Sequence, residues 1–306
     1  LATITAVVFF HSSLGYSSAV VRRLFSSTGA LFSLSKKRIM LRSAFLLSVV
    51  FAITIACNKK QSGDTPSPDT APVFKLAWEE NFNGRQLDTT NWFHRIPGVR
   101  HDGFNDTTTV SVSDGNLYIK VYSDTVNGAI THHTGMIATK KEFRYGKFEA
   151  RISFVNKYGS WSAFWLQSAT MGNPIGNPQA AGMEIDVVET LSNDGRVHHN
   201  LHWDGYGTAH KTTGLITPDL GANSGNYHVY TLEWTPKYYK FYVDGQLTWT
   251  YQAVISQRSE FIILSSEVKN YTTGSWAGPI PAGGYGSKEK TATIMKVDYV
   301  KCYSLQ

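Results

Sequence analysis

The chain has 306 residues, 42% apolar and 17% charged, which is enough apolar surface for a sizeable core and excludes wholesale disorder. Its net charge of +6 comes from a leading segment, because six of the 29 basic residues precede residue 57 and no Asp or Glu does. The remaining 23 basic and 23 acidic residues balance, so no basic footprint for a nucleic acid survives.

Residues 1–39 begin at Leu1 and read as upstream, non-native translation outside the fold. A basic stretch from Lys36 to Arg42 then leads into an apolar run from Ala44 to Ala56. The run is shorter than the roughly 20 apolar residues of a membrane-spanning helix, and residues 40–56 suit a secretory signal. Its end, Thr54-Ile55-Ala56-Cys57, resembles a bacterial lipoprotein cleavage box, in which Cys57 becomes the lipidated first residue. The protein is therefore expected to be exported and held at the bacterial outer membrane or cell surface, touching membrane only through its lipid. Residues 57–73 are polar and Pro-rich, the composition of a tether, and the folded domain is expected over 74–306. With Cys57 carrying lipid, Cys302 has no intrachain partner and reads as a small buried residue in an alternating stretch.

From Phe74 onward the pattern is of strands and turns, with almost no helical period. Gly146 to Phe154 alternates Phe148, Ala150, Ile152 and Phe154 with Lys147, Glu149, Arg151 and Ser153, the mark of a half-buried strand. Tyr227 to Trp234 and Tyr238 to Val243 repeat the device, and Asp244-Gly245 signals a hairpin before Gln246 to Tyr251. Phe261 to Ser266 and Ile294 to Tyr303 supply further strands. Many strands separated by Gly, Pro, Asn and Asp clusters predict an all-β sandwich of two antiparallel sheets. The absence of a 20- to 50-residue period excludes a propeller or solenoid.

The segment Gly182-Met-Glu-Ile-Asp-Val-Val-Glu-Thr190 concentrates three carboxylates: Glu184, Asp186 and Glu189. In a strand Glu184 and Asp186 share a face, whereas Glu189, five positions from Glu184, would point away. One β-bulge between Asp186 and Glu189 returns Glu189 to that face and leaves Ile185, Val187 and Val188 for the core. Three aligned acids repel, so they must share a proton or bind a cation. A solvated acidic face would not need the interleaved apolar residues, and a calcium site usually recruits Asn, backbone carbonyls and loop geometry. The chemistry that fits is glycoside hydrolysis by a carboxylate pair, one acid as nucleophile and another about 5 Å away as proton donor. Asp186, between them, can hold a proton and keep the donor's pKa high.

Glu184-Ile-Asp-Val-Val-Glu189 resembles the catalytic signature of glycoside hydrolase family 16 in its bulged form. The resemblance extends to Trp78-Glu-Glu-Asn-Phe-Asn-Gly84, Gly135-Met-Ile-Ala-Thr-Lys-Lys, Tyr145 to Arg151, Trp161-Ser-Ala-Phe-Trp-Leu166 and Val297 to Tyr303, in the family's order. It implies a β-jelly-roll sandwich with an open concave cleft, cleaving internal β-linkages of a polysaccharide with retention, as a monomer and without a catalytic cofactor. Carried over, Glu184 is the nucleophile, Glu189 the general acid/base and Asp186 the assisting carboxylate. Sugar rings stack on flat aromatic faces, so Trp161 and Trp165, four apart in the strand that the resemblance sets in the cleft, are candidate substrate contacts. Asn200 and His202, on one face of Val197 to Trp203, are further candidates, as are Trp203, Tyr206 in the turn Asp204 to Gly207, Glu267, and Trp276 in the loop Tyr271 to Tyr285. The family's structural calcium would use Asp298, with Glu80 nearby, although Asn81 before Phe82 departs from the usual acidic run.

The expected substrate is a β-1,3 or mixed β-1,3/1,4 glucan. The alternative is a marine galactan (agarose, porphyran or carrageenan), toward which Arg95, Arg100, His101 and Arg144 could contribute cleft cations. A transglycosylase and a non-catalytic polysaccharide-binding lipoprotein rank lower, the latter because all three acids are present.

Overall fold

The computed structural model describes residues 71–306 except 192 and 193. The upstream segment, the signal, Cys57 and nearly all of the tether lie outside the described residues. The structure is a two-sheet β-jelly-roll, and its helical content among the described residues is one turn of α-helix at Pro178–Ala181 and two short 3-10 turns.

The first sheet runs Gln246–Tyr251, Tyr239–Val243, Tyr227–Trp234, Gly146–Val155, Ile294–Leu305, Asn116–Lys120 and Val110–Ser113, with Phe74–Glu80 also paired to Ile294–Leu305. The second runs Lys211–Ile216, His198–Trp203, Glu184–Leu191, Ser160–Gln167, Glu260–Val268, Ala129–Phe143, Gly103–Asn105 and Gly98–Arg100. Trp92–His94 and Tyr122–Val126 also pair with Ala129–Phe143. Pairing is antiparallel except that Gly103–Asn105 lies parallel to Ala129–Phe143, a local departure from the expected purely antiparallel sheets.

Alternation decides which side chains meet between the sheets. Phe148, Ala150, Ile152 and Phe154 of the first sheet pack in one cluster with Phe164, Leu166, Ile185, Val187, Val188, Leu201 and Leu264 of the second. Asp244 and Gly245 both take positive φ, 50° and 77°, which is the mirror-image turn that matches strand twist in a two-residue hairpin. Cys302 is buried in the same core, where burial pushes its thiol pKa far up. Ser160–Gln167 is buried on both faces rather than one. Its second face looks into a recess walled by other residues, so alternation along it separates core from cleft instead of core from solvent.

The approach to the three acids is held from below by a fourth. Glu260 is fully buried, its Oε1 accepts from the backbone N–H of Met183 at 3.0 Å, and its Oε2 has no hydrogen-bond partner. Burial pushes its carboxyl up to about 8, so the group is held as the neutral acid at neutral pH. Below the ordinary value of 4.5 both folded and unfolded chains hold this proton. As pH rises toward 8 only the unfolded chain releases it, so stability is lost over that window and levels off above it. Glu260→Gln should flatten this part of the stability curve by on the order of a few kcal/mol between about pH 5 and 8, measured as urea unfolding free energy. An unchanged pH slope would contradict the assignment.

Candidate active site

The acids reach one surface through a single irregularity. In the pairing with His198–Trp203, Glu184 faces His202, Asp186 faces Asn200, and Glu189 faces His198, so the acid strand advances one residue more than its neighbour. On the other side Trp165 faces Asp186 while Phe164 faces Val188, which identifies Val187 as the inserted residue. Val187 and Val188 are both fully buried in the core, and Glu184, Asp186 and Glu189 all line the same cavity.

A bulge frees backbone groups that a regular ladder would pair. The freed carbonyl of Val187 accepts from His199 Nδ1 at 2.7 Å, and His199 Nε2 lies 2.9 Å from Thr248 Oγ1 on the opposite sheet. Burial pushes the His199 pKa down to about 4, so the ring is neutral and has one N–H. A carbonyl can only accept, hence Nδ1 carries the proton, while Nε2 and the Phe241 carbonyl, each 2.9 Å from Thr248 Oγ1, compete for the one hydroxyl proton. His199 is not among the residues singled out from the sequence; alternation sets it on the face opposite Asn200 and His202, and nothing local reveals a bond to the bulge.

The three carboxyls have unequal surroundings. Glu184 Oε2 accepts from the Tyr206 hydroxyl and, at 2.9 Å, from Gln167 Nε2, while Arg95 donates to the Gln167 carbonyl oxygen. Burial raises the Glu184 pKa, but the Tyr206 hydrogen bond and His202 pull it back. Asp186 is raised well above its ordinary value by burial and then by the Glu184 charge. Glu189 is raised well above its ordinary value by burial and then by Asp186, against one bond from Asn200 Nδ2 at 2.7 Å. Glu184 therefore gives up its proton more readily than the other two. Two carboxyls driven apart in this way form a base and an acid in one site.

The cavity, about 540 Å³, is of the size that holds small ligands or a few sugar rings. Trp161, Ala163, Trp165 and Gln167 project into it from alternate positions of one strand. Trp165 Nε1 donates to Ser265 Oγ at 3.1 Å, and the Arg95 guanidinium lies 5.6 Å from its ring centroid. Trp276, 47% exposed, stands 6.5 Å from Trp161 and 5.1 Å from His198 between ring centroids. Tyr206 is 63% exposed, yet its hydroxyl is spent on Glu184. Glu267 is buried within Glu260–Val268 and binds Arg100 Nε at 2.5 Å, with His101 at 3.5 Å. Burial would raise its carboxyl, but the His101 bond and the Arg100 charge outweigh it and lower the pKa.

Most of the residues expected at the site converge on it, and the exceptions have simple causes. Trp203 packs against the core cluster instead of lining the cavity, because it follows His202 and alternation turns it to the other face. Arg95, Arg100 and His101 line the cavity, while Arg144 lies over the Tyr145 ring outside it. Gln167 was missed although the alternation that selects Trp161 and Trp165 also selects it. The residues expected near a calcium are engaged with other partners. The Asp298 carboxylate pairs with Arg151 at 2.6 Å, and Glu80 accepts from the Phe82 N–H at 2.8 Å and the Trp92 indole at 3.4 Å.

A jelly-roll bearing three acids and an aromatic wall in one cleft defines a class of carbohydrate-active fold. Residues 99–301 match the description of Glycosyl hydrolases family 16, and the chain belongs to that family. It is 29% identical over 245 residues to the keratan-sulfate endo-1,4-beta-galactosidase of Sphingobacterium multivorum, covering 76% of this chain and 56% of that protein. It is 26% identical over 275 residues to glucan endo-1,3-beta-glucosidase A1 of Niallia circulans, covering 79% of this chain and 39% of that protein. The chain thus spans about half, or less, of the length of these two relatives. Its fold is similar to the catalytic domain of an endo-1,3-beta-glucanase (laminarinase) from Thermotoga petrophila RKU-1, with a TM-score of 0.62, 22% identity, and 77% and 100% of the two chains covered.

Replacing His199 with Leu leaves the Val187 carbonyl buried and unpaired, at a cost of roughly 1–3 kcal/mol. The variant should unfold at lower urea concentration. If the site is catalytic, it should also lose turnover number with little change in KM, since the bulge positions acids and not the sugar contacts. A variant with wild-type stability and turnover would show that the bulge needs no such support.

Proposed function

We propose that the protein is a retaining, endo-acting β-glycanase that hydrolyses internal linkages of a polysaccharide by double displacement. The observation that carries this reading is the bulge at Val187, which brings into one cleft an acid whose charge two donors favour and another whose proton burial favours. In the first step the Glu184 carboxylate attacks the anomeric carbon while Glu189 gives its proton to the departing glycosidic oxygen. The C–O bond breaks as a glycosyl ester forms on Glu184. In the second step water attacks that carbon, loses a proton to Glu189, and releases Glu184 as carboxylate. Asp186 holds a proton beside the nucleophile, and Gln167 and Tyr206 orient the attacking carboxylate by bonding its other oxygen. Trp161, Trp165 and Trp276 offer ring faces to the sugars.

The preferred substrate is a β-1,3 or mixed β-1,3/1,4 glucan. The glucanase named among the relatives supports it, as does the pairing of Arg100 with Glu267, which removes one cleft cation from play. A galactan is the second reading, favoured by Arg95, which stacks on Trp165 and Phe261 and has no carboxylate in ion-pair contact, and by the galactosidase relative.

Glu184→Ala should abolish turnover without loss of fold. Glu189→Ala should slow hydrolysis of poor leaving groups by roughly 10²- to 10⁴-fold and spare activated aryl glycosides, which need little protonation. Equal losses on both substrates would remove Glu189 from the acid role. Digests of laminarin, barley glucan, agarose, porphyran and keratan sulfate, with the oligosaccharides sized over time, separate the readings. Release of short and intermediate oligosaccharides from a glucan supports the first, and from a galactan alone the second; no product from any would contradict the glycanase reading for these substrates.

A further inference from the structure

Three ligating atoms converge in the floor of the cleft with little between them. Glu184, Asp186 and His202 each offer one ligating atom, and these atoms all lie within 4.8 Å of one another. The imidazole nitrogen is 3.4 Å from Asp186 Oδ2 and 3.9 Å from Glu184 Oε1. Asp186 Oδ2 is buried and has no hydrogen-bond partner, because the nearby imidazole is not aligned to donate to it. The second oxygen of Glu184 is already engaged by Tyr206 and Gln167, so Oε1 is the one left facing the group. The far side of the imidazole is fixed as well: His202 Nδ1 bonds His210 Nε2 at 3.0 Å, and the two rings stack at 5.1 Å. An outer partner of this kind orients metal-binding histidines.

We propose that Glu184, Asp186 and His202 form a binding site for a divalent transition cation of the zinc class, and that the cation and the glycan exclude each other. Tetrahedral zinc with bonds of 2.0–2.1 Å needs its ligands about 3.3 Å apart, close to the two imidazole–carboxylate distances, so small side-chain rotations complete the geometry. Calcium seeks six to eight oxygens at roughly 2.3–2.6 Å, and two carboxylates with one nitrogen do not supply them. One imidazole and two carboxylates suit zinc, copper or nickel. The fourth position opens to the cleft, where a water would complete the shell. A cation there takes the lone pairs that Glu184 would direct at the sugar, so the inhibitory part of the proposal rests on the glycanase reading, whereas the binding part stands alone.

The test is equilibrium dialysis of the untagged full chain against zinc chloride, with calcium chloride in parallel, followed by glycan hydrolysis across a zinc series. Wild type should retain one more zinc than His202→Gln, or bind it roughly tenfold more tightly or better, and calcium should not displace it. His210→Ala, which removes only the orienting partner, should weaken binding by a smaller factor. The thermal midpoint of each variant without metal checks that it folds. Inhibition should be relieved by raising the glycan concentration. Equal zinc binding by wild type and both folded variants, or none by wild type, overturns the site. Zinc bound through His202 in a protein that turns over no glycan keeps the metal site and sinks the enzyme reading instead. Zinc binding with undiminished hydrolysis overturns mutual exclusion.

Discussion

A β-strand sends successive side chains to opposite faces, so two acids five positions apart cannot meet unless the strand gains a residue between them. Val187 is that residue. Without it Glu189 would enter the core beside Phe164 and Ile185, an uncompensated burial of a carboxyl costing several kcal/mol. With it, two consecutive valines occupy the core and three acids occupy the cleft. The local kink leaves the Val187 carbonyl unmatched in the ladder, and His199 takes it up from the neighbouring strand while reaching across to Thr248 on the other sheet. The bulge is therefore tied to both layers of the sandwich.

Burial then divides the work. All three carboxyls lose water, and each is driven toward its neutral form. What distinguishes them is the donors around each. Glu184 receives two, from Tyr206 and Gln167; Glu189 receives one, from Asn200; and Asp186 has an oxygen that receives none. The ease of holding charge follows donors and not residue type alone, since the two glutamates differ. The arrangement that makes a nucleophile and an acid also leaves an unsatisfied oxygen beside an imidazole, which is the chemistry of a cation site.

The cleft wall combines apolar faces with a neutralised pair of charges. Glu267 and Arg100 satisfy each other at its edge, so the wall offers hydrogen-bonding direction without a large net field. Arg95 differs, because its guanidinium is held by aromatic rings, an amide and a thioether. That contrast between a paired and an unpaired cation is where a choice among neutral and charged glycans would be made.

The amino-acid order alone determined a good deal: the all-β class, most strand positions, the hairpin at Asp244-Gly245, and the need for a bulge between Asp186 and Glu189. These are local properties, set by side-chain period, turn chemistry and composition over a few neighbouring residues. The alternation that selected Trp161 and Trp165 also held the information that Gln167 joins them and that Trp203 does not accompany His202. Other features depended on the tertiary structure. Glu267 meets Arg100 across more than 160 positions of chain, Tyr206 reaches Glu184 from a turn, and His199 meets Thr248 from the opposite sheet. Asp298, expected beside a calcium, instead meets Arg151 on the neighbouring strand. Such pairings depend on which strands become neighbours and on how deeply each group is buried, and both arise only when the two sheets close on one another.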